Sequence, residues 1–98
     1  MSDLRFSWDS RKAQTNIRKH GVAFEEAQSV FFDEHALLID DPEHSEEENR
    51  FAILGMSSSL RVLLVAHCLR SDGDEIRIIN ARKAERTERA QYWERLKR

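Results

Sequence analysis

The sequence predicts an α+β fold, with helices packed on a largely antiparallel sheet in the order β-α-α-β-β-β-β-α. Three observations carry that expectation. Apolar residues alternate over residues 4–8 and then recur at helical spacing between residues 10 and 31. Two apolar runs, 50–56 and 60–69, are joined by Ser57, Ser58 and Ser59, and Asp72-Gly73 separates the second from a further run at 75–81. The last stretch, 84–97, reads as a charged helix.

Taken in order, Leu4, Phe6 and Trp8 face one way against Arg5 and Ser7, which marks a short strand. Asp9 follows as a helix N-cap, Ala13 and Ile17 fall four apart on the helix from Ser10 to His20, and Gly21 stands where a left-handed C-cap is wanted. A second helix starts near Phe24, with Phe24, Ala27, Gln28 and Phe31 on one face and Glu25 and Glu26 in its first turn. Ala23 is a poor cap for it. Residues 36–39 form a short strand before an acidic, proline-bearing loop at 40–48, and the two strands around the serines follow.

A two-residue turn at Asp72-Gly73 opposes residues whose numbers sum to 145. Leu63, Val65 and His67 then share a face with Ile78, Asn80 and Arg82, while Arg70, Cys68 and Ala66 share the other with Glu75, Arg77 and Ile79. Glu85 to Arg89 and Glu94 to Arg98 pairs, four apart, support the closing helix.

With 98 residues the chain is one domain, 1–98, and its 40% hydrophobic and 35% charged content suits a soluble globular protein. Its longest apolar run, Val62 to Ala66, spans five residues, far short of the roughly 20 needed to cross a membrane. The first eight residues lack the pattern of a signal peptide, and the lone Cys68 excludes an internal disulfide and a cysteine-based zinc cage, so a cytoplasmic location is expected.

The formal charge of −2 conceals a strong polarity. Residues 1–22 carry +3 and residues 76–98 carry +5, against −9 for 23–50 and −1 for 51–75. Two basic ends brought together would present a cationic surface to phosphates. The bland alternative is that these charges only solvate the helices. On the first helix Lys12, Asn16 and Lys19 lie at i, i+4 and i+7 with His20 beside them, four convergent polar groups suited to a phosphate. His20 fits equally on the buried stripe with Ala13 and Ile17.

At this point the sequence resembles a family. Phe6-x-Trp8-Asp9, Lys12, Asn16, Lys19-His20-Gly21-Val22 and Phe24-Glu25-Glu26-Ala27 are similar to the opening signature of BrnT-type toxins of bacterial type II toxin–antitoxin pairs. Arg50, Gly55, Arg61-Val62, the block from Ile76 to Ala84, Glu88-Arg89 and Tyr92 are similar to the same family's strand-to-helix segment. The chain departs from the pattern at Asn80, where the family usually has serine, at Ala23, which replaces a capping hydroxyl, and at Trp93. The resemblance implies a RelE-like ribonuclease fold, RNA cleavage that slows translation and growth, and neutralisation by a cognate BrnA-type antitoxin in a 2:2 heterotetramer. It also implies that operator DNA is met only through the antitoxin. No membrane partner is expected, and neither motif spacing nor composition points to a metal or nucleotide cofactor.

RNA cleavage without a metal needs a base at the 2′-hydroxyl, an acid for the departing 5′-oxygen and fixed cations around the phosphorane. The catalytic candidates are His20 first and His67 second, with Arg82 and Arg50 as phosphate cations. The RNA-binding candidates are Lys12, Asn16, Lys19, Arg77 and Lys83. His35 and His44 lie in acidic surroundings. Each candidate has a structural rival. His67 suits a core histidine bonded to Asn80, Arg77 suits a partner of Glu75, and Arg50 suits a clasp on the acidic loop. Trp8 suits the core, Asp9 and Asn16 suit architectural roles, and Cys68 suits a buried inert thiol. A different class of function also fits, a catalytically inactive toxin homologue serving as an interaction module or corepressor with a DNA-binding antitoxin. An antitoxin would cover the cationic site with acidic side chains, add a strand at a sheet edge, or cover Trp93 and the last helix.

Overall fold

A computed structural model describes residues 4–43 and 50–97. Its elements follow the expected order: β1 (Arg5–Ser7), α1 (Ser10–His20), α2 (Phe24–Ser29) running into a 3-10 turn (Val30–Phe32), β2 (Leu37–Asp40), β3 (Arg50–Met56), β4 (Val62–Arg70), β5 (Glu75–Lys83) and α3 (Arg86–Leu96). The strands form one five-stranded sheet in the order β1-β5-β4-β3-β2. Only β1 with β5 is parallel; the other pairs are antiparallel. Among the described residues no helix is long and apolar enough to cross a membrane.

Local chemistry sets the helix ends. The Asp9 carboxylate accepts the backbone N–H groups of Arg11 at 2.8 Å and Lys12 at 3.1 Å, and those bonds hold its carboxyl below the ordinary range. Gly21, at φ 69°, donates its N–H to Ile17 O at 2.8 Å and ends α1 in the left-handed conformation. Ala23 contributes no side-chain cap to α2. At the start of α3 Glu85 and Glu88 form a reciprocal capping box, so the helix begins at Arg86 rather than at Ala84. The expected Glu85–Arg89 pair gives way to other contacts: Glu85 lies 3.5 Å from Arg82, and Arg89 donates to Ala84 O at 2.7 Å. Arg98, the expected partner of Glu94, and His44 lie outside the described residues.

The sheet is apolar on both faces. Ile53, Leu63, Val65, Ile78 and Ala81 pack against Val22, Phe24, Ala27 and Val30 on the α1 and α2 side. Ala52, Leu54, Val62 and Leu64 pack against Ala84 and Tyr92 on the α3 side. Asp33 joins the two sides by accepting the Met56 N–H at 2.8 Å and the Tyr92 hydroxyl at 2.6 Å. Burial pushes the Asp33 carboxyl up, but these hydrogen bonds outweigh it and hold it below its usual value, while Tyr92 is pushed up to about 12 by burial and by the Asp33 carboxylate.

The hairpin turn is as expected, with Asp72 at φ 57°, Gly73 at φ 94° and a closing bond from Asp74 N–H to Ser71 O at 3.2 Å. Arg70↔Glu75 through His67↔Ile78 keep the sum-to-145 register. Beyond them a β-bulge leaves Ile79 without a partner and sets Ala66 opposite Asn80 and Leu64 opposite Arg82. The extra residue turns Asn80 and Arg82 onto the α3 side, away from the face of Leu63, Val65 and His67 on which a regular ladder would place them.

Three further expectations are corrected. Ile17 is 50% exposed, and the buried residue of α1 is Asn16, at 4%. Cys68, expected to be buried, is only half-buried. His67 is a core residue, yet its Nδ1 contacts Val65 O at 3.1 Å rather than Asn80.

Candidate functional site

β1 pairs with β5 only as far as Arg77, so the rest of β5 is an edge, and α1 lies along it. Asn16 makes that contact. Its amide donates to Ala81 O and Val22 O, each at 2.8 Å, and its carbonyl accepts the Ala81 N–H at 3.1 Å. A polar residue is buried here because it supplies the hydrogen bonds a neighbouring strand would have supplied.

That junction is the floor of a cleft of about 470 Å³. Arg11, Lys12, Thr15, Lys19 and His20 of α1 form one wall; Ile79, Asn80 and Arg82 of β5 form the other, with Glu43 at the rim. Lys12 and Lys19 are exposed and His20 is half-buried, so an entering ligand meets all three. The α1 C-terminus carrying Lys19 and His20 is held from behind. Arg61 donates to Gly21 O at 3.2 Å and pairs with Glu26, which also accepts the Ser57 hydroxyl at 2.6 Å. The Arg61 guanidinium holds the Glu26 carboxyl below its ordinary value.

Arg82 reaches the cleft already engaged. Its guanidinium is bidentate to Glu88, at 2.8 and 3.0 Å, with Glu85 at 3.5 Å and Glu43 at 4.0 Å. The Arg82 hydrogen bonds hold the Glu88 carboxyl below its usual value. Arg82 therefore also ties β5 to α3, a second role that spacing in the sequence did not suggest.

The other candidates lie elsewhere. Arg50 bonds Asp41 at 3.1 Å, the clasp on the acidic loop weighed as its rival role. Arg77 is close enough to Asp9 to lower that carboxyl, and Glu75, its expected partner, instead accepts the Ser7 hydroxyl at 2.6 Å. Lys83 is exposed at the end of β5 opposite Leu63. His67 is 2% exposed between Phe31, at a ring-centroid distance of 4.8 Å, and Phe51, at 6.2 Å. Burial pushes its imidazole below the ordinary value. Among the described residues none of Arg50, His67, Arg77 and Lys83 lines the cleft. Asn16 does, with its amide committed to backbone.

Sequence reasoning missed Arg11, Thr15, Ile79 and Glu43 as cleft residues and Glu88 as the partner of Arg82. Arg11 and Thr15 were within its reach, because Thr15 lies at i+3 from Lys12 and at i+4 from Arg11 on the same helix.

The profile of a family described as "Ribonuclease toxin, BrnT, of type II toxin-antitoxin system" matches residues 8–88. Among solved structures the fold is similar to the 1.1 Å crystal structure of the Brucella abortus ribonuclease toxin BrnT. That match has a TM-score of 0.66 and 22% identity, and covers 85% of this chain and 99% of the other. No curated protein matches the sequence.

Proposed function

The chain belongs to the BrnT family of ribonuclease toxins of type II toxin–antitoxin systems, and on that premise we propose that its α1–β5 cleft binds and cleaves RNA, slowing translation and growth. The observation that supports this reading is the convergence of Arg11, Lys12, Lys19 and His20 on one wall of an open cleft. Fixed cations so placed hold a phosphodiester and offset the charge that builds on the phosphorane.

His20 is the group assigned to proton transfer. As the 2′-oxygen attacks phosphorus it releases its proton to the neutral imidazole, the P–O5′ bond breaks, and the 5′-oxygen takes that proton back. A 2′,3′-cyclic phosphate and a 5′-hydroxyl result. Every step uses side chains of the cleft, so cleavage is expected in the presence of chelator. A BrnA-type antitoxin is the proposed partner, in a 2:2 complex that meets operator DNA through the antitoxin, and the cytoplasm is the proposed location.

One observation favours a second reading. Three carboxylates already surround Arg82, which suits a non-catalytic module that only binds its antitoxin. A single assay separates the two: purified protein is incubated with single-stranded RNA and chelator. The nuclease reading expects cyclic-phosphate ends from the parent protein and their loss in His20→Ala. Intact RNA from the parent would favour the binding module, and undiminished cleavage by His20→Ala would remove His20 from the mechanism.

A further inference from the structure

The cleft holds two asparagines in opposite states. Asn16 spends both ends of its amide on backbone. Asn80, half-buried on the facing wall, has no partner for its side chain among the described residues. A partly desolvated amide gains when a ligand supplies the missing acceptor and donor. Beside it Ile79, the unpaired residue of the bulge, adds an aliphatic surface to a cleft otherwise lined largely by polar and charged side chains.

We propose that Asn80 and Ile79 form a nucleobase subsite that takes adenine. This inference rests on the RNA-cleaving reading above and names the base that the same cleft selects. Adenine carries an amino donor at N6 next to a ring acceptor at N7, the pair that both ends of an asparagine amide match at once. Its N6–H donates to Asn80 Oδ1, and its N7 accepts from Asn80 Nδ2. The ring face lies on Ile79, as a base held outside its stack lies on an apolar side chain. Guanine and uracil carry a carbonyl oxygen where adenine carries the amino group; cytosine presents a matching pair at N4 and N3, but its single ring covers less of the Ile79 surface than the two rings of adenine. The division of labour follows from the two walls: Lys12 and Lys19 on α1 carry the phosphates, and the base turns toward β5.

The test is cleavage of a randomised single-stranded RNA pool by the purified protein, with the new 5′ ends sequenced. The parent is expected to enrich adenine at one fixed position beside the cut. Asn80→Ala and Asn80→Asp are expected to reduce that preference by roughly 5- to 150-fold in relative rate. Neither substitution removes a side-chain hydrogen bond among the described residues, so the thermal midpoints of both variants should match the parent's. A parent that cuts without adenine preference, or variants that keep the parent's preference, would overturn the subsite while leaving the nuclease reading in place. A parent that cuts nothing overturns both.

Discussion

Replacing Asn16 with leucine keeps the approximate volume of the side chain and deletes the polar contact between α1 and β5. Three hydrogen bonds of 2.8, 2.8 and 3.1 Å are lost, at a position that is 4% exposed. The Ala81 N–H and the Ala81 and Val22 carbonyls are left with no replacement partner in a dry contact. At roughly 1 kcal/mol per net bond the loss is about 3 kcal/mol. For a domain of this size each kcal/mol moves the midpoint by roughly 4–8 °C, so thermal denaturation followed by circular dichroism should show a fall of roughly 12–24 °C. Asn16→Asp provides a control of the mechanism. The carboxylate still accepts the Ala81 N–H but faces two carbonyl oxygens, so its folded pKa is raised above the unfolded value near 3.9. Its relative stability is therefore fullest below that pH and is lost as pH rises through the folded pKa. A midpoint for Asn16→Leu within about 4 °C of the parent, which is under about 1 kcal/mol, would refute the claim that this amide holds the edge of β5.

Other expectations follow from the same contacts. His67 is buried with its imidazole pushed below the ordinary 6.5, so the unfolded chain takes up a proton first. Stability to urea should fall as pH drops through about 6.5 toward the folded pKa, and His67→Phe should flatten that slope. Tyr92→Phe removes the hydroxyl donated to Asp33 at 2.6 Å and should cost about 2 kcal/mol in urea unfolding, as expected for a bond to a charged acceptor. Gly55→Ala places a methyl 3.0 Å from both Ala36 Cβ and Val30 Cγ1 and should destabilise by about 1–3 kcal/mol in the same measurement. Glu88, lowered by Arg82, stabilises the fold above the unfolded pKa near 4.5. That contribution is lost as pH falls through the folded pKa, and acid titration of Glu88→Gln should show a shallower loss.

Features governed by neighbours in the chain were legible in the sequence. Asp9, Gly21 and the Asp72-Gly73 turn act on backbone groups within a few residues, and the structure uses each as expected. The α1 wall of the cleft was legible too, because one helix brings Lys12, Lys19 and His20 together without help from the rest of the fold. What needed a distant partner was not. Ile17 sits at core spacing, but a helix lying along a strand edge buries a narrow strip, and Asn16 occupies it. The bulge carries no local mark, since Ile78-Ile79 reads as continuous strand without glycine. The partners of Arg82 come from α3 and from the segment after β2, so its sequence position indicated a free cation where the fold holds a paired one.

The bulge makes the cleft depend on chain length as well as on side-chain identity. β5 carries one residue more than the ladder opposite it requires, and Asn80 and Arg82 owe their side of the sheet to that surplus. A substitution at Ile79 changes the shape of the cleft while leaving that count intact. An in-frame loss of the Ile79 codon removes the surplus, and a ladder that closed up regularly would still set Asn80 opposite Ala66 and Arg82 opposite Leu64. A three-nucleotide deletion within β5 is thus a short mutational route to a protein that keeps its hairpin and the Asn80 and Arg82 pairings and loses the aliphatic Ile79 surface from its cleft.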